Sequence, residues 1–429
     1  MQIAHANNTP QEIKQSAGSV LRWISQGSNW LMVYDGADGD YPVVEKYLPP
    51  GNGGNILITS RHDRLKRITL DKNSVKVVDM TDEDAASLIL KSAMLDVTSG
   101  DINNSAKKLV TELGGVPIAL DQAGAYIQSS CCGIDDYLQL YKKNKHQLMS
   151  DTGFKGASGY ETSTYGTWDI SMKEIKGMAE NGVGHEALAA KSAIKLLRIF
   201  AFFNHENIPE ELFQNAAENY MKRNVEEEAE SGFPLSVKIL DHETLFLNEE
   251  GDWEKIQFLG GIRVLLSFSF IRALDHLYSM HLLVNSWSRN TISKQDAIDH
   301  YLRARALISC SVTLDNVIDN YAFCRLLAPH IKSTFLHASE LGLSKNYYDD
   351  EHTRFVRVFD RVGDWDEKEK LLLVAAGQRK ARHGSRHTDT LTTMNDLAST
   401  YRRQGKWHEA EKIHVDVIKA RKANLKSLF

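Results

Sequence analysis

Short apolar runs near the start of the chain predict the strands of a parallel sheet. Residues 30–34 read WLMVY and residues 55–59 read NILIT, and both runs lie beside segments rich in Gly, Asn and Asp. Runs without polar alternation are typical of parallel strands that are buried on both faces. Residues 75–78, VKVV, are a third candidate strand. We therefore predict an α/β domain over residues 1–80.

After residue 80 the apolar spacing becomes helical. Thr81 is followed by three acidic residues, which is typical of a helix start, and helical patterns continue to residue 150. We predict a helical region over residues 81–150. The following residues, 151–184, begin with a segment rich in Gly, Ser and Thr, which predicts a linker.

Residues 185–295 combine helical and β patterns. Apolar positions over residues 186–220 indicate two helices, with Pro209 at an early position of the second helix. Alternating apolar residues between Phe268 and Leu282 indicate a small β-wing beside those helices. This combination predicts a winged-helix domain.

The last third of the chain, residues 296–429, is helical and repetitive. The segment GDWDEKEK at residues 363–370 recurs as GKWHEAEK at residues 405–412, an offset of 405 − 363 = 42 residues. Repetition at such a period predicts stacked helical hairpins, because each unit buries its apolar face only against its neighbours. We expect Trp365 and Trp407 to fill the corners of two such hairpins.

Composition narrows the classes of function. The chain has 42% hydrophobic and 25% charged residues, which is typical of globular domains, and its formal net charge is −5. That charge provides no field that would collect nucleic acid or an anionic membrane surface. No apolar run approaches the ~20 residues that cross a bilayer, the first residues lack a secretory pattern, and the four cysteines show no metal-ligand spacing. We therefore expect a cytoplasmic protein that binds neither nucleic acid nor membrane.

The strand that ends before Asp35 has the form of a Walker B element. In such an element an apolar strand places a carboxylate at the edge of the sheet where nucleotide phosphates and Mg²⁺ bind. An Asp-Gly turn after any buried strand has the same pattern. From these residues alone, a metal-binding carboxylate and an ordinary turn remain alternatives.

Four motifs, in this order along the chain, resemble those of one protein family. Residues 56–61, ILITSR, resemble the "ILITTR" strand of NB-ARC ATPases, and residues 114–127, GGVPIALDQAGAYI, resemble their "GGLPLAL" element with the fungal continuation "DQAGAYI". Met280-His281 resembles the "MH" motif of the winged helix in that family. Residues 390–401 resemble tetratricopeptide repeats (TPRs) of the kinesin-light-chain type. Most of the chain thus resembles fungal NB-ARC–TPR proteins, a STAND-class, NLR-like group of signal-transducing NTPases.

This resemblance implies a fold that is α/β at first and mainly α afterwards. It implies a partial P-loop-NTPase-like parallel sheet, a helical ARC region, a winged helix and TPR-like helical repeats. The implied function is a signalling switch. Its TPR tail would bind a protein partner, and the chain would be able to self-associate.

The resemblance also implies roles for five residues. Arg61 would sense the γ-phosphate, Pro117 would pack near the adenine, and His281 would contact the β-phosphate of ADP. Asp35 would hold Mg²⁺ as the Walker B carboxylate, and activation of water would fall to Asp38. ADP or ATP with Mg²⁺ is therefore the implied ligand, and ADP would bridge the α/β domain and the winged helix.

The sequence departs from the family at the phosphate-binding loop. No G-x-x-x-x-G-K-[ST] segment occurs in it, and 34 residues precede Asp35, a span too short for that loop with its strand and helix. The loop would supply backbone N–H groups, a lysine for the phosphates and a hydroxyl ligand for Mg²⁺. Gly36 stands where many relatives have a second acidic residue, and Leu282 replaces the Pro or Asp that follows the histidine. We therefore expect no ATP hydrolysis and weak nucleotide binding.

Two other hypotheses remain open at this point. The chain could be a TPR interaction scaffold that works without nucleotide, or an incomplete product of a longer gene. Individual residues also have ordinary structural explanations. His281 could simply pack within the wing, and Arg61 could cap its strand or pair with Asp35 or Asp63. Each explanation predicts different neighbours for these residues.

Overall fold

The fold is mainly helical, with a small parallel sheet near its N-terminal end and a small antiparallel sheet in its middle. The computed structural model describes residues 17–37, 41–60, 63–69, 73–77, 80–95, 100–130, 132–151, 163–222, 236–314, 321–343 and 348–426. The chain divides into two compact units, which are Met1–Asp79 with Ser267–Ser269, and Met80–Leu266 with Phe270–Phe429.

The first unit contains a two-stranded parallel sheet. Strand β1 (Trp30–Tyr34) pairs with strand β2 (Gly54–Ile58), so that Trp30 lies opposite Gly54 and Tyr34 opposite Ile58. Its described residues also form two helices and a 3₁₀ turn, which are α1 (Ala17–Ser25), α2 (Tyr41–Glu45) and Asp63–Ile68. The predicted parallel sheet is therefore confirmed.

The third candidate strand is not formed over the residues that the structure describes. Residues 75–77 have no strand partner, and Val75 and Val77 are 86% and 92% exposed. Val78 lies outside the described residues. Alternating valines favour an extended chain, but a strand also needs a neighbour for its backbone groups.

One face of the sheet is also more exposed than we expected for a parallel pair. Leu31, Val33 and Leu57 are 67%, 54% and 54% exposed. These side chains lie on one face, because Val33 is opposite Leu57 and successive residues of a strand alternate between faces. The prediction of strands buried on both faces is therefore wrong within the described part of this unit.

The second unit begins with four helices. They are α3 (Asp82–Ser92), α4 (Gly100–Leu113), α5 (Pro117–Ser130) and α6 (Ile134–Ser150). Thr81 caps α3, as its side chain accepts a hydrogen bond from the Asp84 amide. Helices α3 and α5 approach closely at Gly124, where a Cβ atom would lie 2.4 Å from the Cβ of Ser92. The Ser92 hydroxyl donates to Asp121 at 2.6 Å beside this crossing.

Part of the predicted linker is a helix. Helix α7 (Thr164–Asn181) begins at Ser163, whose side chain accepts a hydrogen bond from the Gly166 amide. Tyr165, Met172 and Ile175 are buried on its inner face. The linker prediction is therefore wrong over 164–181. The Gly, Ser and Thr residues of 157–166 favoured a loop, but one of them, Ser163, is an N-cap, and the apolar residues after it have helical spacing.

The middle of the chain combines helices with a three-stranded antiparallel sheet in the order β3-β5-β4. The elements are α8 (His185–Phe200), β3 (Ile208–Pro209), α9 (Glu210–Lys222), a 3₁₀ turn (Ser236–Ile239), α10 (His242–Leu245), α11 (Lys255–Ser267), β4 (Ile271–Leu274) and β5 (Leu277–Met280). Phe200, Phe213, Phe258 and Tyr278 pack together beneath the sheet. Helices α8, α9 and α11 thus precede the hairpin of β4 and β5.

The remaining described helices follow β5, and the last four of them form the C-terminal stack. They are α12 (Leu282–Asn290), α13 (Lys294–Ser311), α14 (Tyr321–Glu340), α15 (Asp349–Val362), α16 (Trp365–His383), α17 (Thr388–Arg403) and α18 (Trp407–Lys426). Gly363 and Gly405 follow α15 and α17 at φ values of 75° and 77°, which favour glycine. The pairs α15–α16 and α17–α18 are therefore the two helical hairpins that the 42-residue repeat predicts.

The two repeat tryptophans have different surroundings. The Trp365 ring is partly covered, with the guanidinium of Arg403 5.7 Å from its centroid. Trp407 is 67% exposed. The expectation that both rings fill hairpin corners is wrong for Trp407, because Trp365 is covered by the helix of the next hairpin and no described helix stands in that position over Trp407.

A buried ion pair joins α13 to α15. An Arg305 Nη2 hydrogen donates to Glu351 Oε2, and both side chains are almost fully buried. Burial lowers the pKa of Arg305, but the charges of Glu351 and Tyr301 and the hydrogen bonds to both side chains together outweigh it, so the pKa is raised. The neighbouring Asp350 accepts two hydrogen bonds from Ser236, at 2.9 and 2.6 Å. This cluster ties the repeat helices to the middle of the chain.

Among the helices that the structure describes, none combines the length and the apolar composition needed to cross a membrane.

Removing one partner of the buried pair should destabilise the protein strongly. Arg305→Met leaves Glu351 as an unpaired buried carboxylate, so we expect the free energy of unfolding to fall by about 3–5 kcal/mol. The double variant Arg305→Met with Glu351→Leu should recover more than half of that loss, because it removes both charges. Urea unfolding followed by circular dichroism measures both changes.

The matched control for this experiment is an exposed ion pair. Lys370→Met breaks the contact of Lys370 with Glu367, whose atoms are 2.7 Å apart at the surface, and should change stability by less than about 1 kcal/mol. Equal effects of Lys370→Met and Arg305→Met would contradict the importance of burial.

Two buried histidines should make the protein sensitive to acid. Burial lowers the pKa of His330 and of His352 to about 4, whereas an unfolded chain holds histidine near 6.5. The unfolded state therefore binds more protons below pH 6.5, and stability is lost as the pH falls toward 4. At pH 5 each histidine should cost about 2 kcal/mol relative to pH 7.

Melting temperatures at pH 7 and pH 5 test this expectation. The double variant His330→Gln with His352→Gln should lose less stability between the two pH values than the parent protein does. His408→Gln, an exposed histidine of α18, should leave the difference unchanged. An identical acid response in the parent and the double variant would contradict the assignment.

Candidate functional site

Asp35 lies where the parallel strands end. Its Oδ1 atom accepts a hydrogen bond from the Thr59 hydroxyl at 2.6 Å, and that hydroxyl accepts one from the Gly36 amide at 2.9 Å. The Thr59 backbone continues the ladder, since its amide donates to Tyr34 and its carbonyl accepts from Ala37. The sheet therefore holds the Asp35 carboxylate at its carboxyl edge, exposed to solvent.

This arrangement agrees with both interpretations of the Asp35 motif. An exposed carboxylate at the carboxyl edge could bind a cation, and an Asp-Gly turn fastened to a neighbouring strand needs no ligand. Asp38 and Arg61, the other two candidates from this part of the sequence, lie outside the described residues. Among the described residues, no group of three or more His, Cys, Asp or Glu side chains is arranged to hold a metal ion.

The loop before α5 brings the other candidate residues together. Gly114 and Gly115 both have positive φ, at 64° and 70°, so the chain turns sharply between α4 and α5. Pro117 follows at the first position of α5, where its missing N–H costs nothing. Its ring is exposed. The turn therefore leaves the Pro117 ring exposed at the start of α5.

His281 contacts this loop from 167 residues away in sequence. Its Nε2 atom lies 2.8 Å from the Gly114 carbonyl oxygen. Its Nδ1 atom lies 3.1 Å from the Leu283 amide nitrogen, which caps the start of α12. We call this pair of hydrogen bonds, from Gly114 through His281 to Leu283, the latch.

The geometry of the latch sets the protonation of the imidazole. The Leu283 amide can only donate, so Nδ1 must accept and carries no proton. The Gly114 carbonyl can only accept, so Nε2 must donate. His281 is therefore neutral, with its proton on Nε2, and it serves both contacts at once. A charged imidazole would lose the cap of α12.

Glycine is required at position 114 for a second reason. A Cβ atom there would lie 2.5 Å from both Cε1 and Nε2 of His281 and 3.0 Å from a methyl carbon of Leu282. At Gly115, by contrast, a Cβ atom would meet nothing within 4 Å. The two adjacent glycines thus share a backbone conformation, but only Gly114 makes room for the histidine.

The described residues fit a nucleotide in part. The exposed Pro117 ring offers an apolar surface for a base, and His281 is a suitable donor to a phosphate oxygen. Both ring nitrogens of His281 are already used within the protein, however. A phosphate could reach Nε2 only if the bond to Gly114 broke. Any ligand at this position would therefore compete with the latch.

Sequence analysis singled out Pro117 and His281 but missed their partners. Gly114 belongs to the same motif as Pro117, and its role depends on a positive φ and on the approach of a distant side chain. Two adjacent glycines in the sequence indicate a positive φ, but they do not indicate that a distant side chain lies against them. Thr59 was likewise missed as the partner of Asp35, although it closes the strand that follows.

Comparisons with known proteins agree with the motifs. The tetratricopeptide repeat family matches residues 390–427. A nucleotide-binding leucine-rich repeat (NLR)-like protein of the fungus Hyaloscypha variabilis is 27% identical over 196 residues, which are 40% of this chain and 19% of that protein. The match thus spans about a fifth of the relative's length.

Among solved structures, a Signal Transduction ATPase with Numerous Domains (STAND) protein with a tetratricopeptide repeat sensor, from Pyrococcus horikoshii, matches at a TM-score of 0.21 and 10% identity. The match covers 97% of this chain and 65% of that one. The resemblance seen in the motifs is confirmed by the sequence comparisons: this chain is similar to a fungal NLR-like protein and carries a tetratricopeptide repeat at residues 390–427.

Proposed function

We propose that this chain is the regulatory part of an NLR-like signalling switch and that the latch is its moving element. The observation that carries the proposal is the hydrogen bond between His281 and Gly114, 2.8 Å long, which joins the helical region to the start of α12. One neutral side chain holds both segments. Movement of this ring would break the hydrogen bond between the Gly114 turn and the start of α12.

The energy of the latch suits a switch. A neutral hydrogen bond contributes about 0.5–1.5 kcal/mol to stability, so a ligand with modest preference for the open state would shift the equilibrium. His281 is half-buried and Pro117 is exposed, which gives a ligand access to both. A contact of this strength can open without unfolding its neighbours.

We propose an adenine nucleotide as the ligand, on the basis of the family resemblance. Pro117 would contact the base and His281 a phosphate. Within the first unit, the same resemblance makes Asp35, Asp38 and Arg61 the candidates for contacts with Mg²⁺ and phosphate. The nucleotide would supply negative charge and hydrogen-bond acceptors to the opened His281. We propose no hydrolysis, since the sequence contains no phosphate-binding loop.

The repeat helices would bind a protein partner. Stacked helical hairpins present extended surfaces for such contacts, and a tetratricopeptide repeat occupies residues 390–427. We place the protein in the cytoplasm.

A second candidate function is an interaction module that does not respond to nucleotide. The observation that favours it is the complete internal use of the His281 ring, which leaves neither nitrogen for a ligand in the closed state. In that case the latch would be a fixed structural joint. Nucleotide titration separates the two candidates.

Substitutions at the adjacent glycines should show whether the latch can open. Ala at either position meets the same unfavourable backbone conformation, about 1–2 kcal/mol, but Gly114→Ala also collides with the His281 ring. The ring is the end of a side chain, so it should swing away. We expect Gly114→Ala to raise hydrogen exchange at the Leu283 amide by about tenfold or more, since that amide loses its partner.

Gly115→Ala is the matched control for this experiment. It should lower the melting temperature slightly and leave exchange at Leu283 close to that of the parent protein. Equal exchange in the two variants would show that the His281 ring is not held by the contact with Gly114, and the proposal for the latch would fail.

Thermal melting with ADP or ATP, each with Mg²⁺, tests the ligand. A ligand at about 100 times its Kd should add about 2.7 kcal/mol of stability if it binds only the native state. We expect His281→Ala to reduce the shift in melting temperature. Gly114→Ala should increase the shift, because the latch no longer competes for the ring.

His408→Ala is the control, because it removes the same side chain from an exposed position of α18. Its nucleotide response should equal that of the parent protein. No shift with millimolar nucleotide in the parent and in Gly114→Ala would reject the nucleotide switch. It would favour the nucleotide-independent module.

A further inference from the structure

Helix α18 has a stripe of side chains that faces away from the rest of the stack. Trp407 and Ile418 are 67% and 52% exposed, Glu411 and Arg421 are exposed, and His414 is half-buried. These residues follow one another at intervals of four, three, four and three positions. That spacing keeps them on one side of a helix, as in a helix–helix seam. We call them the α18 stripe.

The inner side of the same helix is already occupied. Ala410 and Val417 are 4% exposed and pack toward α17. The α18 stripe is therefore a second apolar and charged surface beside the one that α17 covers. This second surface includes a tryptophan and an isoleucine that are more than half exposed.

The repeat itself shows what such a stripe contacts. In α16, 42 residues earlier, the equivalent positions face α17. Trp365 lies under Arg403, 5.7 Å from ring centroid to guanidinium carbon, and an Arg379 Nη1 hydrogen donates to the Thr393 hydroxyl at 2.6 Å. The start of α16 thus contacts the end of α17, and the end of α16 contacts the start of α17. The two helices are therefore antiparallel.

A third equivalent position gives the same result. Glu369, the counterpart of Glu411, accepts hydrogen bonds from Gln404 at 2.9 Å and from Lys406 at 2.7 Å, just beyond the end of α17. A carboxylate at this position therefore meets a cation near the end of the antiparallel helix. The α18 stripe has a carboxylate at the same position, Glu411, but among the described residues no helix packs against it.

The charges on the stripe identify the helix that fits it. Consider an antiparallel pair of α18 helices related by a two-fold axis at the level of residue 416. Two residues that face each other in this pair have numbers that add up to 832. Glu411 then lies opposite Arg421 of the second copy, since 411 + 421 = 832, and His414 lies opposite Ile418, since 414 + 418 = 832. Such self-complementarity is the requirement for a two-fold interface.

We propose that the α18 stripe binds a second copy of this chain through antiparallel pairing of the two α18 helices. Two Glu411–Arg421 ion pairs would flank the central His414 and Ile418 side chains. The pairing continues the antiparallel packing that the repeat already shows between α16 and α17. It does not depend on nucleotide or on the latch.

The size of the surface predicts a weak dimer. A helix of 20 residues is about 30 Å long, and one such helix from each copy gives an interface at the small end of the usual range. We therefore expect association between about 1 and 100 μM, as in transient complexes. The chain would be monomeric in dilute solution.

Sedimentation equilibrium of the full chain over that concentration range tests the proposal. The expected mass rises from 48.3 kDa toward twice that value. Glu411→Arg places two pairs of arginines across the axis, and Arg421→Glu places two pairs of glutamates there. Each single variant should weaken dimerisation at least about tenfold. The double variant, which exchanges the charges, should restore it.

Asp416→Arg is the matched control. It makes the same change of charge on the same helix, but Asp416 is exposed about half a turn away from His414 and Ile418. It should leave the dimer intact, whereas Trp407→Ala should weaken it. All of these positions are exposed, so the melting temperature should stay near that of the parent protein.

Three outcomes would overturn the proposal. A monomeric mass at about 100 μM would exclude self-pairing and favour a helix of another protein on this surface. A dimer that tolerates both single charge reversals would place the interface elsewhere. Failure of the double variant to recover the dimer would exclude the antiparallel register about residue 416.

Discussion

The second unit depends on the buried ion pair between Arg305 and Glu351, because it fastens the repeat helices to the middle of the chain. Two opposite charges without access to water must stay together, and separating them costs about 3–5 kcal/mol. Asp350, beside Glu351, extends the attachment to Ser236 through two hydrogen bonds. The C-terminal stack is therefore fastened to the middle of the chain at this cluster.

The latch is a much weaker contact than the ion pair between Arg305 and Glu351. His281 joins Gly114 to α12 through neutral hydrogen bonds at a half-buried position, and each contributes about 0.5–1.5 kcal/mol. A change of state would open the weaker of the two joints first. In the proposed switch, the contact between His281 and Gly114 would therefore break first, while the repeat helices keep their attachment through Arg305. This difference in strength is why we assign the switching role to the latch.

Local features of the fold could be predicted from the sequence, and contacts between distant segments could not. The 42-residue repeat predicted the hairpins, with Gly363 and Gly405 at their turns. Pro117 and His281 were found as separate motifs. Their connection through Gly114 spans 167 residues and depends on the tertiary fold. Helix α7 was missed because glycine, serine and threonine at its start resemble a linker, whereas its buried side chains are recognised only once their neighbours are known.

Repetition also explains why the α18 stripe differs from its counterpart in α16. Equivalent residues occupy equivalent positions in the two helices, but Trp365 and Glu369 have α17 and the residues that follow it as neighbours, and Trp407 and Glu411 face solvent. The sequence of the stripe thus retains the requirements of a helix–helix contact. An acidic residue toward one end and a basic residue toward the other make the same stripe complementary to its own antiparallel copy. The physical requirement that stacks one repeat on the next is therefore also the basis of the self-pairing that we propose.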